Sequence, residues 1–305
     1  MEEVIISVKN FKKTYGTNIA VDDISFDVNK GEIFGLLGPN GSGKTSTLES
    51  LEGLRSPDGG SLRVLGLDPK TQQRKLTTLM GVQLQSSALP ANMTVQEAMQ
   101  FFCAYHQTAP RYDLIDRLQL GVKKNAQYGS LSFGQQRRLA LVLAVAHRPQ
   151  IVFLDEPTAG LDVASRVELH DLMHELQQEG ASMILATHDM AEAEKMADRV
   201  AILLKGKIAA IGTPQELTAA GEGYTRISVH TEKDILASNG HPFPGVQQYQ
   251  VKDGYALYYS TDPGASVTAI IQYIGNQDDK LIDLRVERPT LEERFLEITK
   301  IQPTR

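Results

Sequence analysis

At 305 residues the chain is too long for one average domain and suits two. It is 41% hydrophobic and 22% charged, the composition of an ordinary globular protein, and its formal net charge of -6 gives no support for nucleic acid as the main partner. One cysteine, Cys103, excludes an internal disulfide and suits a reducing compartment. No run reaches the ~20 apolar residues of a membrane-spanning helix, and the acidic start lacks a signal-peptide pattern, so the chain is expected not to cross a membrane alone.

Residues 4–28 read as β-rich, with apolar alternation in Val4–Val8 and Ile24–Val28. The apolar run Ile33–Leu37 predicts a buried strand, and Ser46–Leu51 the first turns of a helix. Between them lies Gly38-Pro39-Asn40-Gly41-Ser42-Gly43-Lys44-Thr45, a Walker A pattern without mismatch. Strand, glycine-rich loop and helix together make a phosphate site. Glycines let backbone N–H groups curl around phosphate oxygens, and the helix N-terminus adds partial positive charge. Lys44 can reach the β- and γ-phosphates, and the Thr45 hydroxyl can ligate Mg²⁺. A turn that merely joins strand to helix would not need Lys-Thr at its end.

Ser56–Gly60 is a turn region. Residues 86–130 read as mostly helical, with Thr94 and Glu97 spaced as a capping box and Cys103 in an apolar run that suits a core. Ile151–Leu154 followed by Asp155 and Glu156 predicts a central parallel strand ending in two carboxylates. That is where open α/β sheets bind ligands. Asp155 fits a Walker B ligand of Mg²⁺, and Glu156 a group that polarises an attacking water. Leu169–Leu176 has helical spacing. His170 and His174 share a helix face, a metal-compatible spacing, but no third ligand is evident and a solvated face explains both.

From Gly221 the pattern changes. Gly221-Glu222-Gly223 reads as a linker, followed by strands at Arg226–His230, Tyr249–Val251 and Tyr255–Tyr259. Asp253-Gly254 is a hairpin-turn signal. A helix is expected over Ala265–Ile274, a strand over Leu281–Val286, and a capped helix over Arg288–Thr299. The tyrosine-rich hairpin is either a packed β face or a ligand or dimer surface.

Leu131-Ser132-Phe133-Gly134-Gln135 resembles the signature motif of ABC-type ATPases. Pro157–Asp162 resembles that family's D-loop, His188 its switch histidine, Gln85 its Q-loop glutamine, and Tyr15 its adenine-stacking aromatic residue. The match covers about residues 4–217, with all the elements in family order. The resemblance implies a P-loop NTPase core of the ABC ATPase kind: a RecA-like parallel sheet, an antiparallel β layer and a helical subdomain over about 86–147. The ATP-binding domain would span 1–220, and a small C-terminal α+β domain 221–305. That C-terminal part is similar to the extension of daunorubicin-resistance-type exporter ATPases.

The resemblance further implies ATP and Mg²⁺ as cofactors and a head-to-tail dimer sandwiching two ATP molecules. Tyr15 and residues Gly38 to Ser46 would hold nucleotide from one subunit. Ser132, Phe133, Gly134 and Gln135 of the other would contact the γ-phosphate, and Asp162 would link the two sites. Glu156, His188, Lys44 and Gln85 would be catalytic, with Thr45, Gln85 and Asp155 around the metal. Phe133 stands where the family most often has glycine, and its bulk bears on packing near the ATP. The function implied is the ATP-hydrolysing motor of an exporter. It would work with separate permease subunits at the inner face of the cell membrane, in a homodimer, and with no nucleic-acid partner. The rival is a soluble ABC ATPase acting on ribosomes or DNA. Those usually carry two cassettes or a long coiled-coil insert, and neither is present in this sequence.

Overall fold

The computed structural model describes residues 3–84, 89–219, 224–239 and 241–301. Gln85 and the Gly221–Gly223 linker, both singled out above, lie outside the described residues. The chain divides into two compact units, Met1–Pro214 and Gln215–Arg305.

The first unit holds two sheets. Strands β1 (Val4–Tyr15), β2 (Asn18–Asn29) and β4 (Gly59–Val64) form an antiparallel layer in the order β2-β1-β4. The larger sheet takes β3 (Ile33–Leu37), β5 (Met80–Gln83), β6 (Ile151–Asp155), β7 (Ser182–Thr187), β8 (Arg199–Leu204) and β9 (Lys207–Gly212), in the order β5-β6-β7-β3-β8-β9. Its pairs are parallel except β8–β9. Every residue of β3 and β6 is buried because both faces of the sheet are covered. Ile151 and Phe153 pack towards the antiparallel layer and α1 (Lys44–Leu51). Val152 and Leu154 pack towards α5 (Phe133–Val145) and α6 (Val163–Gln178). Each such side chain contributes roughly 1.5–3 kcal/mol of burial.

The short α2 (Gln73–Leu76) precedes β5, and α7 (Met190–Met196) follows β7. The described residues of this region, 89–130, are less helical than their sequence suggests. Among them only α3 (Val95–Tyr105) and α4 (Tyr112–Arg117) are α-helices, with two single 3-10 turns at Gly121–Lys123 and Tyr128–Ser130. Pro110 bars a helix from running through the gap between α3 and α4. The Thr94–Glu97 capping box is formed in both directions, and Cys103 is buried in the core.

Helix α8 (Pro214–Ala219) lies at the division between the units. The second unit is an antiparallel sheet of β10 (Thr225–Thr231), β11 (Val246–Lys252), β12 (Tyr255–Ser260) and β13 (Leu281–Glu287), in the order β11-β12-β10-β13. With it go α9 (Ile235–Asn239), α10 (Pro263–Asn276) and α11 (Leu291–Ile301). Asp253 and Gly254 both take positive φ at the β11–β12 turn, as a two-residue hairpin requires. β11 starts at Val246, three residues before its apolar pattern, because Gln248 and, across a bulge at Gln247, Val246 also pair with β12. The terminal helix starts at Leu291, capped by Thr290 and Glu293. Tyr258 lies fully inside this unit's core, and the Tyr249 hydroxyl donates to the Leu236 carbonyl at 2.5 Å, so these two tyrosines pack rather than face solvent.

Candidate functional site

Strands β3, β7 and β6 lie side by side, and their C-terminal ends bring three distant segments together. From β3 comes the loop Gly38–Gly43, which leads into α1. Gly41 and Gly43 have φ of 80° and 108°, where a side chain is strained. A Cβ on Gly38 would lie 2.3 Å from the Leu203 carbonyl oxygen, so the loop tolerates no side chain there either. α1 begins at Gly43 without a side-chain cap, leaving its first N–H groups for an anion.

Lys44 is buried. Its Nζ donates to the Gly38 and Pro39 carbonyls at 2.7 and 3.3 Å, and lies 3.8 Å from Glu156 Oε1. Burial pushes its pKa down, against the pull of Glu156 and Asp155. The Thr45 hydroxyl donates to Asp155 Oδ2 at 3.1 Å, while Asp155 Oδ1 is buried without a partner. Burial holds the Asp155 pKa above the usual carboxylate value, opposed by the Thr45 hydrogen bond. A hydroxyl and a buried carboxylate with a spare oxygen are hard donors that fit Mg²⁺.

Glu156 follows β6 in the left-handed region, at φ 52°. That backbone costs on the order of 1–3 kcal/mol for a non-glycine residue. It is fastened by the Glu156 N–H donating to the Ala186 carbonyl on β7 at 2.9 Å. The turn sets the carboxylate between Lys44 and His188, whose Nδ1 lies 2.5 Å from Glu156 Oε2. His188 stands in the tight β7–α7 turn, where Asp189 caps α7.

Tyr15, Asn40, Gly41, Gly43, Lys44, Thr45, Ser46, Asp155 and Glu156 line one cavity of about 320 Å³. Gly38, Pro39 and Ser42 build the loop behind it. Tyr15 ends β1 and is 39% exposed, with its ring available to a planar ligand.

Ser132, Phe133, Gly134, Gln135 and Asp162 do not line this cavity. Ser132 caps α5, its hydroxyl accepting from the Gln135 N–H at 3.3 Å while Gln135 Oε1 accepts from the Ser132 N–H at 3.0 Å. Asp162 caps α6 through the Ser165 N–H at 2.7 Å, and that bond lowers its pKa. Phe133 is 58% exposed and its ring lies against Gly160, where an added Cβ would come within 2.8 Å of it. The bulk of Phe133 therefore bears directly on the loop before Asp162.

Two further groups join the site without a sequence signal. Arg137 on α5 is buried, and its Nη1 donates to the carbonyls of Leu84 and Asp155 at 3.2 and 3.4 Å. It ties α5 to β6 and to the residue before Gln85. Glu52, after α1, is buried, and burial together with Asp155 and Glu49 pushes its pKa up to about 8. His170 is not on a solvated face. It is 4% exposed, with Nε2 3.5 Å from Glu192 Oε1, because α7 packs over that side of α6. No group of three or more metal-ligating side chains forms among the described residues. A second, apolar cavity of about 220 Å³ lies between α3, α5 and β5, lined by Met80, Leu89, Phe102, Tyr105, His106 and His147 among others.

Residues 21–159 match the family described as ABC transporter. The chain is 33% identical over 306 residues to the Nod factor export ATP-binding protein I of Rhizobium sp. (strain N33), covering 98% of each chain. It is 37% identical over 223 residues to the probable multidrug ABC transporter ATP-binding protein YbhF of Escherichia coli (strain K12), spanning 71% of this chain but only 38% of that longer protein. Among solved structures it resembles the ATP-binding subunit of an ABC transporter, with a TM-score of 0.66 and 25% identity over 70% of this chain and 91% of that one.

Proposed function

The chain belongs to the ABC transporter family, and from that premise we propose that it is the ATP-hydrolysing subunit of an exporter whose membrane-spanning permease is a separate chain. The observation that carries the reading is the division of the site. The loop, the lysine and both carboxylates line one cavity, and the signature residues lie outside it. A second copy, placed head to tail, would bring Ser132, Phe133, Gly134 and Gln135 to the γ-phosphate and complete two composite sites.

In this reading Tyr15 stacks on adenine and the Gly38–Gly43 loop holds the phosphates through backbone N–H groups. Lys44 exchanges its carbonyl partners for phosphate oxygens. Thr45 and Asp155, with Gln85, would hold Mg²⁺, which supplies charge neutralisation between the phosphates. Glu156 orients and polarises the attacking water, and His188, already against Glu156, fixes that carboxylate and reaches towards the γ-phosphate. Asp162 lies at the start of α6, where Phe133 abuts its loop, and would relay one site's state to the other. Catalysis is positioning and charge stabilisation.

The names of the relatives support export over ribosome or DNA work. The apolar cavity beside α3 and α5 suits docking of a permease segment, which would hold the subunit at the inner face of the membrane. No described helix is long and apolar enough to cross a membrane.

Glu156→Gln tests the assignment. The variant binds ATP with undiminished affinity, releases phosphate at least ~100-fold more slowly, and accumulates as an ATP-bound dimer. Normal turnover in that variant would remove Glu156 from its role. Co-purification of the tagged chain with a multi-span membrane protein tests the exporter reading. Recovery with ribosomes or DNA instead would leave the ATPase and sink the exporter.

A further inference from the structure

Strand β13 is an edge of the second unit's sheet, paired to β10 on one side only. From Glu287 opposite Arg226 to Asp283 opposite His230 its register with β10 is unbroken, and it shifts once beyond that stretch, at Ile282 between Asp283 and Leu281. Leu281, Ile282 and Val286 are 41%, 58% and 51% exposed. The regular stretch from Asp283 to Glu287 leaves backbone groups unpaired along one side, a template for pairing with another strand. The opposite edge, β11, is also shifted once, between Val246 and Gln248, but its one charged residue, Lys252, offers a second copy of the strand no opposite-charge partner.

Within β13 (Leu281–Glu287) the segment Asp283-Leu284-Arg285 is complementary to itself read backwards. Two copies can meet edge to edge and antiparallel about a two-fold axis through the sheet. Side chains facing each other must then lie on the same face, which permits only registers that differ by two residues. Centred on Leu284, the pairing sets Asp283 opposite the second copy's Arg285 twice and Leu284 opposite itself, all within the regular stretch. Centred on Asp283, it sets two aspartates face to face. Centred on Arg285, it sets two arginines together and Asp283 against Glu287. Opposite-charge cross-strand pairs stabilise and like pairs destabilise, so the charges select one register of the three. Asp283 and Arg285 already touch within one copy at 2.8 Å, so the paired edges would carry four alternating charges.

We propose that β13 is a homodimer interface, joining two copies through an antiparallel β13–β13 pair centred on Leu284. It is independent of ATP and of the ATPase assignment. A single strand pair buries less than a standard interface, so the association is weak and concentration-dependent.

Sedimentation of the nucleotide-free full chain over a range of concentrations tests this, since ATP-driven closure is then absent. The wild type forms dimers as concentration rises. Arg285→Asp and Asp283→Arg each place like charges opposite one another and raise the dissociation constant about tenfold or more. The double variant, with the charges exchanged, returns to wild-type dimerisation. Mixing the two single variants restores dimers, because each supplies the charge the other lacks, and this also excludes misfolding as the cause of their loss. A wild type that stays monomeric, single variants that dimerise like the wild type, or a mixture that stays monomeric would each overturn the proposal.

Discussion

Glu52 is the sharpest place to perturb this protein by pH. It is 2% exposed, its Oε2 has no hydrogen-bond partner, and its pKa is pushed up to about 8 by burial and by Asp155 and Glu49. Its folded pKa exceeds its unfolded value of 4.5, so the folded state keeps a proton that the unfolded state gives up. Stability from this group is therefore fully present below about pH 4.5 and is lost as pH rises towards 8. Linkage over that window puts the loss between pH 5 and pH 8 on the order of 3 kcal/mol. Glu52→Gln removes the titration while keeping shape and hydrogen-bonding capacity. The variant should match the wild type within about 1 kcal/mol at pH 5 and exceed it by roughly 3 kcal/mol at pH 8, a rise in Tm of roughly 6–12 °C. Urea denaturation of both proteins at the two pH values measures this, and the other titrating groups cancel in the difference. A stability difference that does not change with pH, or a variant weaker than the wild type at pH 8, would refute the reasoning.

Gly43→Ala sets a Cβ 2.6 Å from the Ala20 carbonyl oxygen at a φ of 108°. It should cost roughly 2–4 kcal/mol and abolish binding of a fluorescent nucleotide, and wild-type affinity would contradict the loop geometry. Ser132→Ala removes the α5 cap, at about 1 kcal/mol. Its phosphate release should fall more than ~10-fold while nucleotide titration of the single chain stays unchanged, because in the proposed head-to-tail dimer Ser132 would act on the other copy's ATP. Loss of nucleotide binding in that variant would place Ser132 in its own chain's cavity instead.

Strands β3 and β6 are legible because a run of four or five apolar residues between turn signals has few other uses. The Thr94 cap is legible because a cap is settled within four residues. What eludes the sequence is set by packing between distant segments. The left-handed turn at Glu156 needs the Ala186 carbonyl from another strand to hold it. Arg137 sits in a helical pattern that gives no hint of its bonds to the Leu84 and Asp155 carbonyls. His170 reads as a surface residue until α7 covers it. The meeting of Phe133 with Gly160 likewise depends on a loop 27 residues downstream.

The order of the main sheet bears on how the protein is made. β3 is synthesised early, but its two neighbours, β7 and β8, are about 150 and 165 residues further along the chain. At about 5–20 residues per second, the five apolar residues of β3 wait some ten to thirty seconds for their partners. The phosphate loop has no fixed shape to offer until they arrive, so a nascent chain gains nucleotide binding late and all at once. Through that interval Ile33–Leu37 is the stretch most exposed to mispairing, and the one a chaperone would most usefully cover.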